Sequence, residues 1–193
     1  MSDGKSLTVL GISGSLRKAS SNTAILKALA EMVADKATLE IFPLHDIPLY
    51  NQDIDVEPWP PAITAFRDAV AAADGVIISS PEYNYGMSGV LKNALDWASR
   101  PYGKAKLTGK PVLTVTASMA STGGVRAQLQ LNETLTAIAA LVVLRPQAII
   151  GSVLQKMTDG RFTDETSLKF LTAAVDDLLR DIAKTKAVIK QES

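Results

Sequence analysis

Residues 11–25, GISGSLRKASSNTAI, gather Ser13, Ser15, Ser20, Ser21 and Thr23, the amide Asn22 and the cation Arg17 within one short stretch. Hydroxyls, an amide and a guanidinium are donors to anionic oxygen. The stretch follows a short apolar run and precedes a helical pattern. Free backbone N–H groups and the positive dipole end at a helix start favour an anion. The triphosphate-loop pattern G-x-x-x-x-G-K-[ST] fails, because Leu16 stands where its second glycine is required. The dinucleotide pattern G-x-G-x-x-G fails at Ser13. A hydroxyl-rich turn with one arginine suits a single terminal phosphate.

Two further loops carry unusual chemistry. Residues 81–89, PEYNYGMSG, pair two tyrosines and an asparagine with glycines. Glycines let a flat ligand approach the backbone, and aromatic residues supply faces or edges for it. Residues 116–124, TASMASTGG, end on paired glycines before a helix. Their N–H groups suit a carbonyl-rich ring edge that gains negative charge.

Other chemistries are excluded or poorly supported. With no cysteine, the chain has no disulfide, thiolate zinc site or thiolate phosphatase nucleophile. The single histidine, His45, leaves a metal site dependent on carboxylates, and no close carboxylate cluster is seen. GISGS resembles a hydrolase nucleophile elbow, but Ser15 replaces the second glycine of G-x-S-x-G. His45 also follows Ser13 too closely to serve as its base. Twenty basic residues balance twenty acidic ones, which argues against a nucleic-acid or membrane-surface binder. No run of 18 apolar residues occurs, so no membrane span is predicted. MSDGKSLTVLGIS has no long apolar segment, and no signal peptide is expected. A cytoplasmic location fits the absence of cysteine.

The elements that must position these loops alternate. Strands are predicted at 7–12, 37–42, 75–80, 110–118 and 141–153, the last broken by Pro146 and therefore an edge strand or a bulged one. Helices are predicted from about Thr23 with Asn22 as N-cap, and over 63–73, 90–99 with Ser88 as N-cap, 125–139 and 165–189. Residues 43–61 form a long loop holding five of the nine prolines. Short apolar strands between amphipathic helices imply a parallel sheet covered on both faces. No repeat or interdomain linker is seen, so residues 1–193 read as one domain. Ligands of such α/β folds bind beyond the carboxyl ends of the strands. Residues 13–22, 81–89 and 118–124 should meet there. One phosphate plus one flat, polar-edged ring describes flavin mononucleotide (FMN).

GISGSLRKASSNT, SPEYNYGMSGVLKNALDWASRP and GKPVLTV…GGVRAQ resemble the NAD(P)H-dependent FMN reductase family, most of all its chromate and quinone reductase group. The resemblance runs from about Leu7 to Gln130. It implies a flavodoxin-like three-layer sandwich, with a five-stranded parallel sheet in the order 2-1-3-4-5. It implies FMN phosphate contacts from Ser15, Arg17, Ser20 or Ser21, Asn22 and Thr23. Pro81, Glu82, Tyr83, Asn84 and Tyr85 would pass along the ring, and Ser118, Gly123 and Gly124 would border its pyrimidine side. Relatives often carry Gly-Ser-aromatic where this chain has Ala19-Ser20-Ser21, so the choice between Ser20 and Ser21 stays open.

The implied activity is a two-step, ping-pong cycle. NADPH or NADH gives hydride to bound FMN, and a quinone, azo compound, chromate or free flavin then accepts electrons. No side chain is required as acid or base. Tyr85 is expected to shape the acceptor pocket, and Glu82 to pair with Arg100. Arg100, Lys104, Lys106 and Lys110 are candidates for the extra phosphate of NADPH. A flavodoxin-type electron carrier is the alternative, although such carriers are typically acidic and this chain is neutral. The resemblance also implies a homodimer or homotetramer, with residues 43–61, through Tyr50 and Asn51, expected at the boundary.

Overall fold

The computed structural model describes residues 7–192. Residues 1–6, where the N-terminal reading above begins, and Ser193 lie outside the described residues. The central strands are β1 (Leu7–Ser13), β2 (Ala37–Phe42), β3 (Gly75–Ser80) and, after a small hairpin of β4 (Glu82–Tyr83) and β5 (Gly86–Met87), β6 (Pro111–Ala117). Two short strands, β7 (Leu141–Val142) and β8 (Ala148–Ile150), complete the sheet, and a second hairpin joins β9 (Met157–Thr158) to β10 (Arg161–Phe162). The helices are α1 (Ser21–Met32), α2 (Pro61–Ala72), α3 (Gly89–Ala98), α4 (Val125–Ala137) and α5 (Glu165–Glu192).

The sheet runs β2-β1-β3-β6-β7, with β8 also on β6, and every pairing in it is parallel. This is the flavodoxin-like order, with one correction. Where one fifth strand is predicted, two short strands stand. Pro146 has no N–H for a ladder, Leu144 is 98% exposed, and the Arg145 guanidinium turns back to pair with Asp177 at 3.1 Å. The edge strand therefore leaves the sheet and re-enters it on the same neighbour.

Alternation along the strands divides the core. Val9, Leu39, Ile77, Leu113 and Val115 pack under α1 and α5. Leu10, Ile12, Val76, Ile78 and Val112 pack under α2, α3 and α4. The strands are apolar on both faces because both are covered.

The 43–61 loop is fastened to its own chain. Asn93 Nδ2 and Trp97 Nε1 both donate to the Pro48 carbonyl, at 2.8 and 2.9 Å, and Tyr50 N donates to Asn93 Oδ1 at 2.7 Å. The Tyr50 ring meets Trp97 edge-on at 4.9 Å. The Tyr50 ring thus packs within its own chain, while Asn51 stays exposed. Further on, Asp55 pairs with the buried Arg67 at 2.8 Å, beneath Trp59. Removing one partner of such a pair costs about 3–5 kcal/mol.

Carboxylates fix the long α5 at both ends. Asp164 accepts from Ser167 N at 2.9 Å and pairs with Lys156 at 2.9 Å. Hydrogen bonds from the Ser167 hydroxyl, Lys156 and Ser167 N hold its pKa at about 2, against an ordinary 3.8. Near the other end, Asp74 pairs with Lys186 at 2.6 Å and accepts from Thr8 N at 3.0 Å. Burial raises the Asp74 pKa, but Lys186, Thr8 N and Lys110 outweigh it and hold it below its ordinary value. A depressed carboxylate pKa stabilises the fold above the unfolded value, and the contribution is lost as pH falls through the folded one. Asp164→Asn should therefore lower the urea midpoint at pH 7 and should converge on wild type as pH falls from 4 toward 2. A constant gap across that window would contradict the assignment.

Candidate functional site

Parallel strands β1, β3 and β6 all end at one edge, and the predicted loops leave from there. A buried amide joins them. Asn22, in the first turn of α1, accepts from Ser79 Oγ at the end of β3 (2.8 Å) and donates to the carbonyl of Ala117 at the end of β6 (3.4 Å). Asn22 is therefore a tie between strand ends and not the helix cap. The cap is Ser20, whose Oγ accepts from Thr23 N at 3.2 Å, and α1 starts two residues earlier than the sequence suggests.

The turn before α1 is a hydroxyl network. Thr23 Oγ1 donates to Ser13 Oγ (2.8 Å), Ser15 N to Ser13 Oγ (3.4 Å) and Arg17 N to Ser15 Oγ (3.4 Å). Ser15, Ser20 and Ser21 are buried, whereas Arg17 is exposed and folds over the turn toward the Ala19 carbonyl at 3.4 Å. The Ser21 and Asn22 N–H groups are the first two of the helix and have no acceptor within it. This donor set fits a phosphate monoester: two N–H groups on the dipole axis, serine hydroxyls around them and one exposed guanidinium beside them.

Gly14 presses this turn against the second loop. Its N–H donates to the Ser79 carbonyl (2.8 Å) and its carbonyl accepts from Ser88 Oγ (2.6 Å). A Cβ on Gly14 would lie 3.1 Å from Ser88 Oγ and 3.2 Å from Pro81 Cδ, so the position is filled by backbone alone. An open cleft of about 410 Å³ follows, lined by Gly14, Ser15, Leu16, Arg17, Tyr83 and Ser88, among others. The composition hints at Ser88 only as the cap of α3, which it also is, accepting from Leu91 N at 3.4 Å.

The second loop is a hairpin, not an irregular loop. Glu82 and Tyr83 pair with Met87 and Gly86, across a turn in which Asn84 and Tyr85 take φ of 50° and 68°. Glycine is usual at the second of these positions, so a tyrosine there needs external support. The Arg126 guanidinium supplies it, 4.1 Å from the Tyr85 ring centroid. Tyr83 and Tyr85 are 52% and 71% exposed, and Tyr85 has Arg126 over one face.

Glu82 anchors the hairpin. Its Oε2 accepts from Arg126 N (2.9 Å) and Ala127 N (3.0 Å), in the first turn of α4. The cap position of α4 is Gly124, which has no side chain to offer, so a carboxylate from another loop caps the helix. Gln130 Oε1, one turn on, accepts from Met87 N at 2.8 Å. The expected Glu82–Arg100 pair does not form. Arg100 lies over the Tyr50 ring instead, at 5.5 Å.

In the third loop, Ser118 N donates to the Ile150 carbonyl (3.1 Å) and Ser118 Oγ accepts from Ala120 N (3.2 Å). Gly123 and Gly124 are buried, with φ of 63° and 93°. A Cβ on Gly123 would lie 2.8 Å from Gly151 N, and one on Gly124 3.4 Å from Glu82 Cβ. Packing against β8 therefore requires glycine at 123, and the φ of 93° favours it at 124. Loop three abuts loop two through that contact and reaches loop one through Asn22 and Ala117. The three predicted loops do converge. Arg126 and Gln130, which hold the hairpin, were not predicted; their signal in the sequence is the polar residues one turn apart just after the glycine pair.

Residues 7–155 match the family described as NADPH-dependent FMN reductase. The chain is 40% identical over 166 residues to an NAD(P)H-dependent FMN reductase of Pseudomonas aeruginosa, covering 86% of this chain and 89% of that protein. It is 39% identical over 171 residues to a quinone reductase of Escherichia coli K12, covering 86% and 90%. Among solved structures, the flavoenzyme FerB of Paracoccus denitrificans, an NAD(P)H:acceptor oxidoreductase, aligns with a TM-score of 0.83 at 32% identity, over 93% of this chain and 98% of that one.

Glu82→Ala should cost about 1–2 kcal/mol of stability, the range for losing a helix cap, read as a lower urea midpoint. It should also weaken FMN binding through the freed hairpin. Unchanged values of both would show that Glu82 does not anchor the loop.

Proposed function

The chain belongs to the NADPH-dependent FMN reductase family, and on that premise we propose how its own residues carry the activity. The protein is an FMN-dependent oxidoreductase that takes hydride from NAD(P)H and reduces quinones or similar small acceptors. When bound, FMN supplies the redox chemistry, and the protein supplies binding, orientation and electrostatics.

The observation that carries the assignment of roles is the donor set at the start of α1. Ser15, Ser20, Ser21 and the Ser21 and Asn22 N–H groups hold the phosphate, with Arg17 closing over it. Thr23 acts by orienting Ser13 and Ser20, to which its hydroxyl and N–H are bonded. Pro81, Glu82, Tyr83, Asn84 and Tyr85 flank the ring, and Ser118, Gly123 and Gly124 border its pyrimidine edge. Tyr85, held by Arg126, forms one side of the acceptor pocket. No side chain serves as an obligatory acid or base. The acceptor range extends to azo compounds, chromate and free flavin, because both tyrosines leave the mouth of the site open.

We further propose that residues 1–193 form a single cytoplasmic FMN-binding domain that assembles as a homodimer or homotetramer. No helix among the described residues is long and apolar enough to cross a membrane. Met119 and Leu129, both more than half exposed, supply an apolar rim for a second copy. A flavodoxin-type carrier is disfavoured by the balance of twenty basic and twenty acidic residues.

Anaerobic mixing of the purified, FMN-loaded protein with NADPH or NADH should bleach the flavin absorbance. Adding a benzoquinone should restore it, and steady-state plots should be parallel. A flavin that neither coenzyme bleaches would identify the protein as a carrier.

A further inference from the structure

The structure assigns a second anion site, for the 2′-phosphate that NADPH carries and NADH lacks, to Lys18, Lys27 and Arg161. The inference rests on the oxidoreductase reading above. Of the candidate cations Arg100, Lys104, Lys106 and Lys110, three are placed elsewhere. Lys110 directly precedes β6 and lies toward the edge of the sheet opposite the site. Lys110 donates to the Ala73 carbonyl at the C-terminus of α2, Lys106 lies near it, and Arg100 is turned onto Tyr50. A helix C-terminus repels an anion.

At the edge where the site lies, the β9–β10 hairpin packs on α1 and leaves a recess of about 120 Å³. Ser20, Ala24, Lys27, Ala28 and Glu31 follow helical spacing along one side of α1 and line it, and the small alanines leave room for a ligand group. Arg161 and Phe162 form the opposite wall, and Lys18 reaches it from the phosphate turn. Arg161 pairs with Glu31 at 2.7 Å, which fixes the guanidinium at the rim. Lys18 and Lys27 make no ion pair among the described residues. Three cations against one carboxylate give the recess a net charge of +2, in a chain of net zero. A recess of this size and charge suits one phosphate monoester dianion, not a base or a sugar. It shares Ser20 and Thr23 with the first phosphate turn, so the two anion sites adjoin.

The test compares both coenzymes on FMN-loaded wild type, on Lys27→Ala/Arg161→Ala and on the charge reversal Lys27→Glu. Removing charge-assisted contacts should raise the KM for NADPH by about tenfold and leave kcat and the KM for NADH unchanged. Calorimetric titration with adenosine 2′,5′-bisphosphate needs no turnover. It should show binding to wild type that the variants lose, with FMN affinity retained. Coenzyme KM values that shift together, or not at all, would overturn the site while leaving the oxidoreductase reading intact. So would bisphosphate binding the variants as tightly as wild type. A protein that oxidises neither coenzyme would instead overturn the oxidoreductase reading.

Discussion

The amide of Asn22 is the constraint on which the site depends. It is buried beneath the first turn of α1 and bonds to Ser79 and Ala117, the ends of two strands that are neighbours in the sheet but 38 residues apart in sequence. A buried amide is tolerated only when its polar atoms are paired, and leaving one unpaired costs about 1–3 kcal/mol. The bonds therefore specify one relative placement of three segments. The helix start, the end of β3 and the end of β6 are locked together, and each continues directly into one of the site loops. Position follows from this tie; affinity follows from what the loops then expose.

A division of labour results. Toward the opposite edge of the sheet, Asp74, Lys110 and Lys186 pin α2, β1 and α5, while Asp55 and Arg67 fasten the proline-rich loop over α2 and α3. Charges there are spent on stability. At the site, Arg17 is left exposed, and Lys18 and Lys27 have no carboxylate partner among the described residues. Glu82 is the exception, since its carboxylate caps α4. The positive end of that helix is thereby neutralised by protein, whereas the positive end of α1 is left for a ligand. The two helix starts at the site do opposite jobs for this reason.

Much of this was legible in the sequence. Apolar runs bounded by glycine and serine gave β1, β3 and β6, and Pro146 marked the interrupted edge strand. The convergence of three loops followed from parallel topology alone. What could not be read were contacts between distant segments. Asn22 has the composition of a cap, and nothing local shows that its side chain turns inward to Ser79. The 82–87 hairpin has strands of two residues, too short for any periodicity to appear. Glu82 was assigned to the wrong partner because the donors to its carboxylate are backbone N–H groups, which leave no trace in side-chain pattern. The paired glycines were recognised as significant, but their packing against Glu82 and β8 is visible only in three dimensions. The β9–β10 hairpin was missed for the same reason of length, and with it the recess on α1.

The central claim is that the start of α1 binds a phosphate monoester and that this contact holds the flavin. The most direct measurement is titration of the apoprotein with FMN and with riboflavin, which has the same ring and no phosphate. Charge-assisted contacts of the kind assembled at Ser15, Arg17 and Ser20 are each about twice as strong as neutral ones, so the account predicts tight one-to-one binding of FMN and binding of riboflavin weaker by about a hundredfold or more. Equal affinity for the two would contradict it.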